Sequence, residues 1–263
     1  ARAIRDQFSL VPIAEVEPED YFDYQFNRPT VVVDEHGERT LRWPEVVLYG
    51  PGPQSTVAAS GMPVHVLLGT EPSRGWKTFA SEIVDSIEAA GVSAMVLLGA
   101  MLADVPHTRP ISVFASSDNQ AVRDRFELER STYEGPVGIL SVLADAAERA
   151  GIPTLSIWAS VPHYVHNAPS PKATLALLER LEEFVDIDID RGSLPEESLA
   201  WESGIDALAE EDEDMRAYIA QLEQARDTVD SPEASGEAIA EEFERYLRRR
   251  DGRDGKAGGR PGA

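Results

Sequence analysis

The stretch that decides the fold is residues 76–99, WKTFASEIVDSIEAAGVSAMVLLG. Its apolar residues up to position 87 recur at helical spacing, which predicts a helix over Trp76–Ala90. They are Phe79, Ile83, Val84 and Ile87. Gly91 predicts the end of that helix, and the apolar run 92–99 predicts a buried strand. A helix followed directly by a buried strand is typical of an α/β protein.

The same alternation continues on both sides of this stretch. The other predicted strands are 30–34, 40–43, 46–49, 64–69, 111–115 and 152–159, and the other predicted helices are 118–126 (with Ser117 as its cap), 137–150 and 171–185. Strand–helix–strand order at this spacing predicts a mostly parallel, mixed sheet with helices on both faces. We therefore expect a three-layer α/β/α core domain over residues 1–190.

A change in composition near residue 190 predicts a second unit. Residues 195–250 hold 17 Asp and Glu against six Arg, and they carry an apolar seam at alternating steps of four and three that Asp212 interrupts. The seam consists of Trp201, Ile205, Leu208, Met215, Ile219 and Leu222. We predict an acidic helical appendage over 191–250, with a further short helix near 239–247, and a disordered Gly-rich tail over 251–263. The seam would either lie on the α/β core or form an oligomer or partner surface.

Composition excludes several classes of function. The 263-residue chain carries a formal net charge of −23, which disfavours binding to nucleic acid or to anionic membrane surfaces. It contains no cysteine, so disulfides, thiolate metal sites and a cysteine nucleophile are excluded. No apolar run approaches the length of a membrane span, and we expect a cytoplasmic protein.

Polar side chains follow three of the predicted strands. They are Glu71 and Arg74 after 64–69, His107 and Arg109 after 92–99, and His163 and Tyr164 after 152–159. If these strands run parallel, their carboxyl ends meet at one edge of the sheet, and the six side chains are expected to line one cleft there.

The tripeptide Val-Pro-His occurs in two of these loops, at 105–107 and at 161–163. Because proline fixes its own φ and restricts the residue before it, each loop is expected to hold its histidine stiffly. Three roles remain open for this cluster: locking the loops together by hydrogen bonds, binding an anionic ligand, and acid–base catalysis. No metal or cofactor is predicted, because spacing fixes no acidic ligand beside His163 and His166.

In these segments the chain resembles the proteasome-assembly-chaperone family, in its bacterial branch. The matching pieces are Asp23-Tyr24, Arg28-Pro29-Thr30-Val31, Glu71-Pro72, Trp76, Phe79, Val105-Pro106-His107-Thr108-Arg109-Pro110, Gly151-Ile152, Val161-Pro162-His163-Tyr164 and Leu177-Leu178. The resemblance implies a fold similar to purine nucleoside phosphorylases and self-assembly, often as trimers. It also implies a role in protein assembly, as in archaeal and eukaryotic relatives.

The chain departs from the family pattern in three places. A first strand ending in a Gly-Trp-x-Asp-Ala-Gly-like turn is missing, so we expect further sequence before Ala1. Gln25 and Asn27 stand where relatives tend to carry arginines. The ending Gly-Gly-Arg-Pro-Gly-Ala lacks the hydrophobic–Tyr–any ending with which some archaeal relatives dock into proteasome rings.

Two functions are compatible with these observations. The first is a non-enzymatic, homo-oligomeric protein-binding or assembly factor, with the proteasome as a candidate partner. The alternative is a phosphorylase- or hydrolase-like enzyme for a nucleoside-like or anionic small molecule. There Arg109 would hold phosphate, His107 or His163 would act as acid or base, and Glu71 would hold a ribose hydroxyl by analogy.

Overall fold

The computed structural model describes residues 1–56, 58 and 61–230. The helices are α1 Arg2–Gln7, α2 Pro18–Tyr21, α3 Trp76–Ala89, α4 Gln120–Phe126, α5 Ile139–Arg149, α6 Pro171–Phe184, α7 Leu194–Glu211 and α8 Glu213–Val229. The strands are β1 Val11–Glu15, β2 Thr30–Val33, β3 Arg39–Arg42, β4 Val46–Gly50, β5 Val66–Gly69, β6 Met95–Ala103, β7 Val113–Ser116 and β8 Thr154–Pro162. The helix predicted near 239–247 and the tail 251–263 lie outside the described residues.

The strands form three sheets, in the orders β1-β4-β5, β2-β3 and β6-β8-β7. Only β6 and β8 pair in parallel; the other four described pairs are antiparallel. The α/β class is confirmed, but the prediction of a mostly parallel sheet is wrong.

The helix–strand alternation behind that prediction begins only at α3. After β6, nine residues without a helix (104–112) lead into β7. A parallel neighbour needs a longer crossover, so β7 returns antiparallel on the far side of β8. The three-layer, phosphorylase-like arrangement stays a prediction.

Two apolar clusters hold the parallel pair β6–β8 in place. One cluster joins α3 and α5 to Leu97 of β6, and its members include Phe79 and Ala147. The other packs α6 on Ile157 of β8, which is completely buried. The two strands are therefore held by packing against α3 and α5 in one cluster and against α6 in the other.

The ends of the helices follow the predicted signals, with one correction. Gly91 and Gly151 follow α3 and α5 with φ of +71° and +84°, a conformation that glycine adopts without a Cβ penalty. The predicted cap Ser117 does not cap α4. Asn119 does, by accepting hydrogen bonds from two backbone N–H groups of the first turn, because Ser117 lies too early in the chain and instead accepts from Asn119 N–H.

The acidic C-terminal segment folds as two helices that lie on the α/β body. Asp212 separates α7 from α8 and caps α8 by accepting from Met215 N–H at 3.0 Å. Ile205 of α7 and Ile219 of α8 are buried, and α7 packs along α6. The structure therefore places most of the seam on the core, but Leu208, predicted as part of the seam, is 59% exposed. The boundary at residue 190 stays a prediction. None of the described helices is long and apolar enough to span a membrane.

Candidate functional site

The loops that follow β6 and β8 leave the same edge of their sheet. The two strands run parallel, and their last residues, Ala103 and Pro162, are register partners. The loop 104–110 therefore meets the short helical turn His163–Val165, as the sequence predicts for these two loops. Their meeting point is the contact between His107 and Tyr164.

His107 is completely buried, and all of its polar atoms have partners. Its backbone N–H donates to the Tyr164 hydroxyl at 2.8 Å, and its Nδ1 lies 2.9 Å from the same oxygen. Its Nε2 lies 3.0 Å from Asp206 Oδ1 on α7. A ring with its proton on Nε2 fits these partners, since Nε2–H donates to the carboxylate and Nδ1 accepts the tyrosine proton.

The backbone around His107 is bonded to α6 and α7 through one lysine. Lys172 Nζ, at the start of α6, donates to the His107 carbonyl oxygen at 2.5 Å and to Glu202 Oε2 of α7 at 2.7 Å. Both side chains are mostly buried. A charge-assisted hydrogen bond in such surroundings fixes the loop to both helices.

The next two residues of the loop are held by α8. Arg109 donates from Nε and Nη2 to the two oxygens of Asp227, at 2.7 and 2.8 Å. Thr108 Oγ1 donates to Glu223, which also accepts from Arg109. Three consecutive residues, His107 to Arg109, thus bind carboxylates of the two C-terminal helices.

His163 lies at the border of this cluster and is 43% exposed. Its Nδ1 is 3.2 Å from Asp104 Oδ1, the oxygen that accepts a hydrogen bond from the Tyr218 hydroxyl at 3.3 Å. The ring stands edge-to-face against Tyr164 and Tyr218. His163 therefore packs beside the His107 contacts without bonding to them.

Glu71 and Arg74 make their contacts elsewhere. Glu71 Oε1 accepts from Ile139 N–H at 3.0 Å, at the start of α5. Arg74 donates to the carbonyl oxygens of Glu19 and Asp20 in α2, at 2.6 and 3.1 Å. They follow β5, which belongs to a different sheet from β6 and β8, so the carboxyl edge of the parallel pair does not position them. The structure therefore brings four of the six predicted residues together: His107, Arg109, His163 and Tyr164.

Burial and neighbouring charges shift the pKa values of three side chains in this cluster, Tyr164, Arg109 and Asp227. Burial raises the pKa of Tyr164 to about 12, with the carboxylates of Glu223 and Asp206 acting in the same direction and the His107 backbone N–H opposing them. The Arg109 guanidinium lowers the pKa of Asp227, and Asp227 raises the pKa of Arg109. At neutral pH, Tyr164 is protonated and can donate, while Arg109 and Asp227 form an ion pair.

Sequence reasoning missed the carboxylates and the lysine that complete the cluster. They are Lys172, Glu202, Asp206, Glu223 and Asp227. One signal was present: the acids occur as two pairs four residues apart, beside the apolar seam. That spacing puts each pair on one helix face. Nothing in the local pattern indicated that this face would meet the loop after β6.

The cluster therefore acts as a polar joint between loop and helices. Both ring nitrogens of His107 lie within hydrogen-bond distance of groups of the protein itself, the Tyr164 hydroxyl and the Asp206 carboxylate. A small cavity of about 10 Å³ lies among β1, β4, β5 and α3, lined by residues such as Val16, Leu48 and Ile83 and by none of the six candidates. Within the part of the chain that the structure describes, no group of three or more histidine and carboxylate side chains is arranged to hold a metal ion.

Fold and site together define an α/β protein whose C-terminal helices are bonded onto the carboxyl edge of its central parallel strands. The model of the PAC2 family matches residues 1–209, and the chain belongs to that family. This confirms the resemblance found in the sequence.

Solved structures with the same fold include two that share substantial sequence with this chain. A PAC2 family protein from Streptomyces avermitilis is 40% identical, with a TM-score of 0.72 and coverage of 82% of this chain and 90% of that one. A proteasome-assembly chaperone homologue from Mycobacterium tuberculosis is 38% identical, with a TM-score of 0.71 and coverage of 83% and 91%.

A more distant structure shows likeness of fold alone. PbaA from Pyrococcus furiosus, an archaeal homologue of proteasome-assembly chaperone, is 16% identical over 85% of this chain and 86% of that one, with a TM-score of 0.54. No curated protein matches the chain.

Proposed function

We propose that this protein is a non-enzymatic assembly factor that binds other proteins and works as a homo-oligomer. The observation that carries the proposal is the closure of the predicted cleft by the chain's own helices. The histidine and the arginine that would have met a ligand are bonded to Asp206 and Asp227 instead. With these side chains engaged inside the chain, the contacts that the protein offers to a partner are those of its outer surface.

The relatives support the kind of partner. A structure 38% identical to this chain is described as a proteasome-assembly chaperone homologue. We propose a proteasome-type complex, or the subunits from which it is built, as the partner. A trimeric assembly, which the sequence resemblance implies, and a cytoplasmic location belong to the same proposal.

The enzyme hypothesis receives no comparable support from the geometry. It requires His107, Arg109 and Glu71 to face one substrate. His107 and Arg109 are engaged by α7 and α8, and Glu71 binds the start of α5. The locking role, one of the three roles that the sequence left open, accounts for every bond of His107.

Native mass spectrometry tests the proposal directly. The full chain is mixed with purified proteasome core subunits from the same organism, and a complex of defined stoichiometry is expected. Nucleosides with phosphate serve as the second arm, read out by thermal shift. Absence of any protein complex, together with a ligand-dependent rise in melting temperature, would replace the assembly role by the enzymatic one.

A further inference from the structure

The helical turn that follows β8 carries two histidines on one side. His163–Val165 form a single turn of 3₁₀-helix, and His166 continues it with φ of −65° and ψ of −15°. A 3₁₀-helix has about three residues per turn, so His163 and His166 lie one above the other, with their Cα atoms about 6 Å apart. Pro162 begins the turn with φ of −55°, which its ring fixes. The two imidazole rings therefore leave a rigid turn on the same side.

The backbone of the turn orients the ring of His166. Its Nδ1 lies 2.8 Å from the carbonyl oxygen of His163. Because a carbonyl oxygen only accepts hydrogen bonds, Nδ1 carries the proton and donates it. The lone pair of the neutral ring is then on Nε2, which has no hydrogen-bond partner among the described residues. His166 is exposed, and its bond to the carbonyl oxygen brings the ring back towards His163.

A carboxylate orients the ring of His163. Its Nδ1 is buried and lies 3.2 Å from Asp104 Oδ1. The angle falls short of a hydrogen bond, but a carboxylate at this distance favours the tautomer with the proton on Nδ1. Tyr164 and Tyr218 hold the ring edge-to-face, at 5.8 and 5.6 Å between centroids. Its Nε2 has no hydrogen-bond partner in the described ranges and is accessible to solvent.

Histidines that bind metal ions are held in this way. A histidine ligand gives one ring nitrogen to the metal and directs the other towards a carboxylate or a backbone carbonyl oxygen, which fixes the tautomer and the orientation of the ring. His163 has the carboxylate and His166 has the carbonyl oxygen. Neutral imidazole suits zinc, copper and nickel ions, whereas magnesium and calcium ions prefer oxygen ligands. The net charge of −23 attracts cations to the chain.

We propose that Nε2 of His163 and Nε2 of His166 together bind one divalent transition-metal ion such as zinc, with Asp104 as the positioning residue for His163. Two protein nitrogens leave the other coordination positions to water, so this is an open site. It differs from the groups of three or more histidine and carboxylate ligands that the described residues lack. Spacing in the sequence fixes no acidic residue beside these histidines, and the structure adds Asp104 from the loop after β6. The inference does not depend on the assembly role.

Zinc titration of the full chain, without an affinity tag and after removal of metal by a chelator, tests the proposal by calorimetry. One ion per chain is expected at this site, and His166→Ala is expected to weaken its affinity about tenfold or more. His36→Ala is the matched control, because His36 is also an exposed histidine with a carboxylate nearby, Glu35 at 3.7 Å, but has no second histidine beside it in the chain. The control leaves zinc binding unchanged. Magnesium in excess does not displace the zinc.

Two further variants test the second ring and its support. His163→Ala is expected to match the loss in His166→Ala, because one imidazole remains in either variant. Asp104→Ala is expected to weaken zinc binding about tenfold, because the ring of His163 is no longer oriented. Electron paramagnetic resonance with copper in place of zinc counts the coordinated nitrogens: two in the wild type and one in each histidine variant. Circular dichroism establishes folding, and His166→Ala, which removes only an exposed ring, keeps the test decisive if His163→Ala does not fold.

Several results would overturn the inference. A wild-type chain that binds no zinc does so, as does an affinity for zinc that His166→Ala leaves unchanged. An equal loss in His36→Ala and His166→Ala shows general binding to surface histidines, and displacement of zinc by magnesium assigns the ion to surface carboxylates. An affinity that Asp104→Ala leaves unchanged removes the orientation of His163 on which the site depends. None of these results bears on the assembly role, which mixing with proteasome subunits tests separately.

Discussion

Replacing His107 by alanine tests whether the polar cluster is a joint rather than a ligand site. The substitution keeps the backbone N–H bond to Tyr164 but removes both ring contacts and leaves a cavity where a completely buried side chain stood. Losing the hydrogen bond on the Tyr164 hydroxyl costs about 1 kcal/mol, and the cavity about 1–2 kcal/mol. Asp206 is 55% exposed and can turn to water, so its lost partner adds little.

We therefore expect His107→Ala to lower the free energy of unfolding by about 2–3 kcal/mol, equivalent to about 4–12 °C in melting temperature for a chain of this size. Urea unfolding followed by tryptophan fluorescence measures it, with His36→Ala as the control, since His36 is 79% exposed in the turn between β2 and β3. Self-association and partner binding are expected to survive at temperatures where the variant is folded. Unchanged stability, with partner or ligand binding lost, would refute the joint.

Other contacts give three further predictions. Tyr164→Phe should reduce the loss of stability at alkaline pH. The pKa of Tyr164 is about 12 in the folded chain and near 10 in the unfolded chain, so its contribution to the free energy of unfolding is complete below pH 10 and is lost as pH rises towards 12. After allowance for solvent screening that contribution is about 1–2 kcal/mol. Urea unfolding of the wild type and the variant is measured from pH 8 to 12, and the same dependence of the free energy of unfolding on pH in both proteins would refute the prediction. Arg109→Met should lower the free energy of unfolding at neutral pH and make it fall less steeply in acid. The Arg109 guanidinium lowers the pKa of Asp227, so the pair adds stability that is present above the ordinary pKa of an aspartate and is lost as pH falls through the pKa of Asp227 in the folded chain. Unfolding curves from pH 6 to 2 that superimpose on those of the wild type would contradict this. Gly99→Ala should cost about 1–3 kcal/mol, since a Cβ there would lie 2.5 Å from the Trp158 ring, whereas Gly204→Ala in α7 meets nothing within 4 Å and should stabilise the helix by about 0.5–1 kcal/mol. Equal melting temperatures for these two variants would show that the strand pair adapts freely.

The sequence was informative wherever structure depends on neighbouring residues. The spacing of Phe79, Ile83 and Ile87, with Gly91 after them, predicted α3 within one residue, because a helix needs only its own apolar face and a stop. Asp212, where the sequence interrupts the apolar seam, is the residue that separates α7 from α8. Both features depend on residues that are close together in the chain, so a pattern in the sequence can predict them.

Direction and distant partners were harder to predict. The run 111–115 indicated a strand but carried no sign of its direction, which the short connection from β6 decides. The bond between His107 and Asp206 joins residues 99 positions apart. The loop was predicted to line a cleft, yet the side chains that fill the cleft come from the segment that the sequence predicted only as an acidic helical appendage. Spacing placed the acids on their helices, and only tertiary packing selected their partners.

The polar joint matches its charges within one chain, and this bears on how the protein responds to salt. Lys172 pairs with Glu202 of α7 and Arg109 pairs with Asp227 of α8, so closing the cleft also fixes the orientation of the two acidic helices on the body. Because Lys172 and Glu202 are mostly buried, salt screens their attraction less than it screens charges in open water. Like charges repel, so separate copies with a net charge of −23 resist one another, and that repulsion between exposed charges is what added salt weakens. Raising the ionic strength should therefore promote self-association while leaving the joint, and with it the melting temperature, almost unchanged.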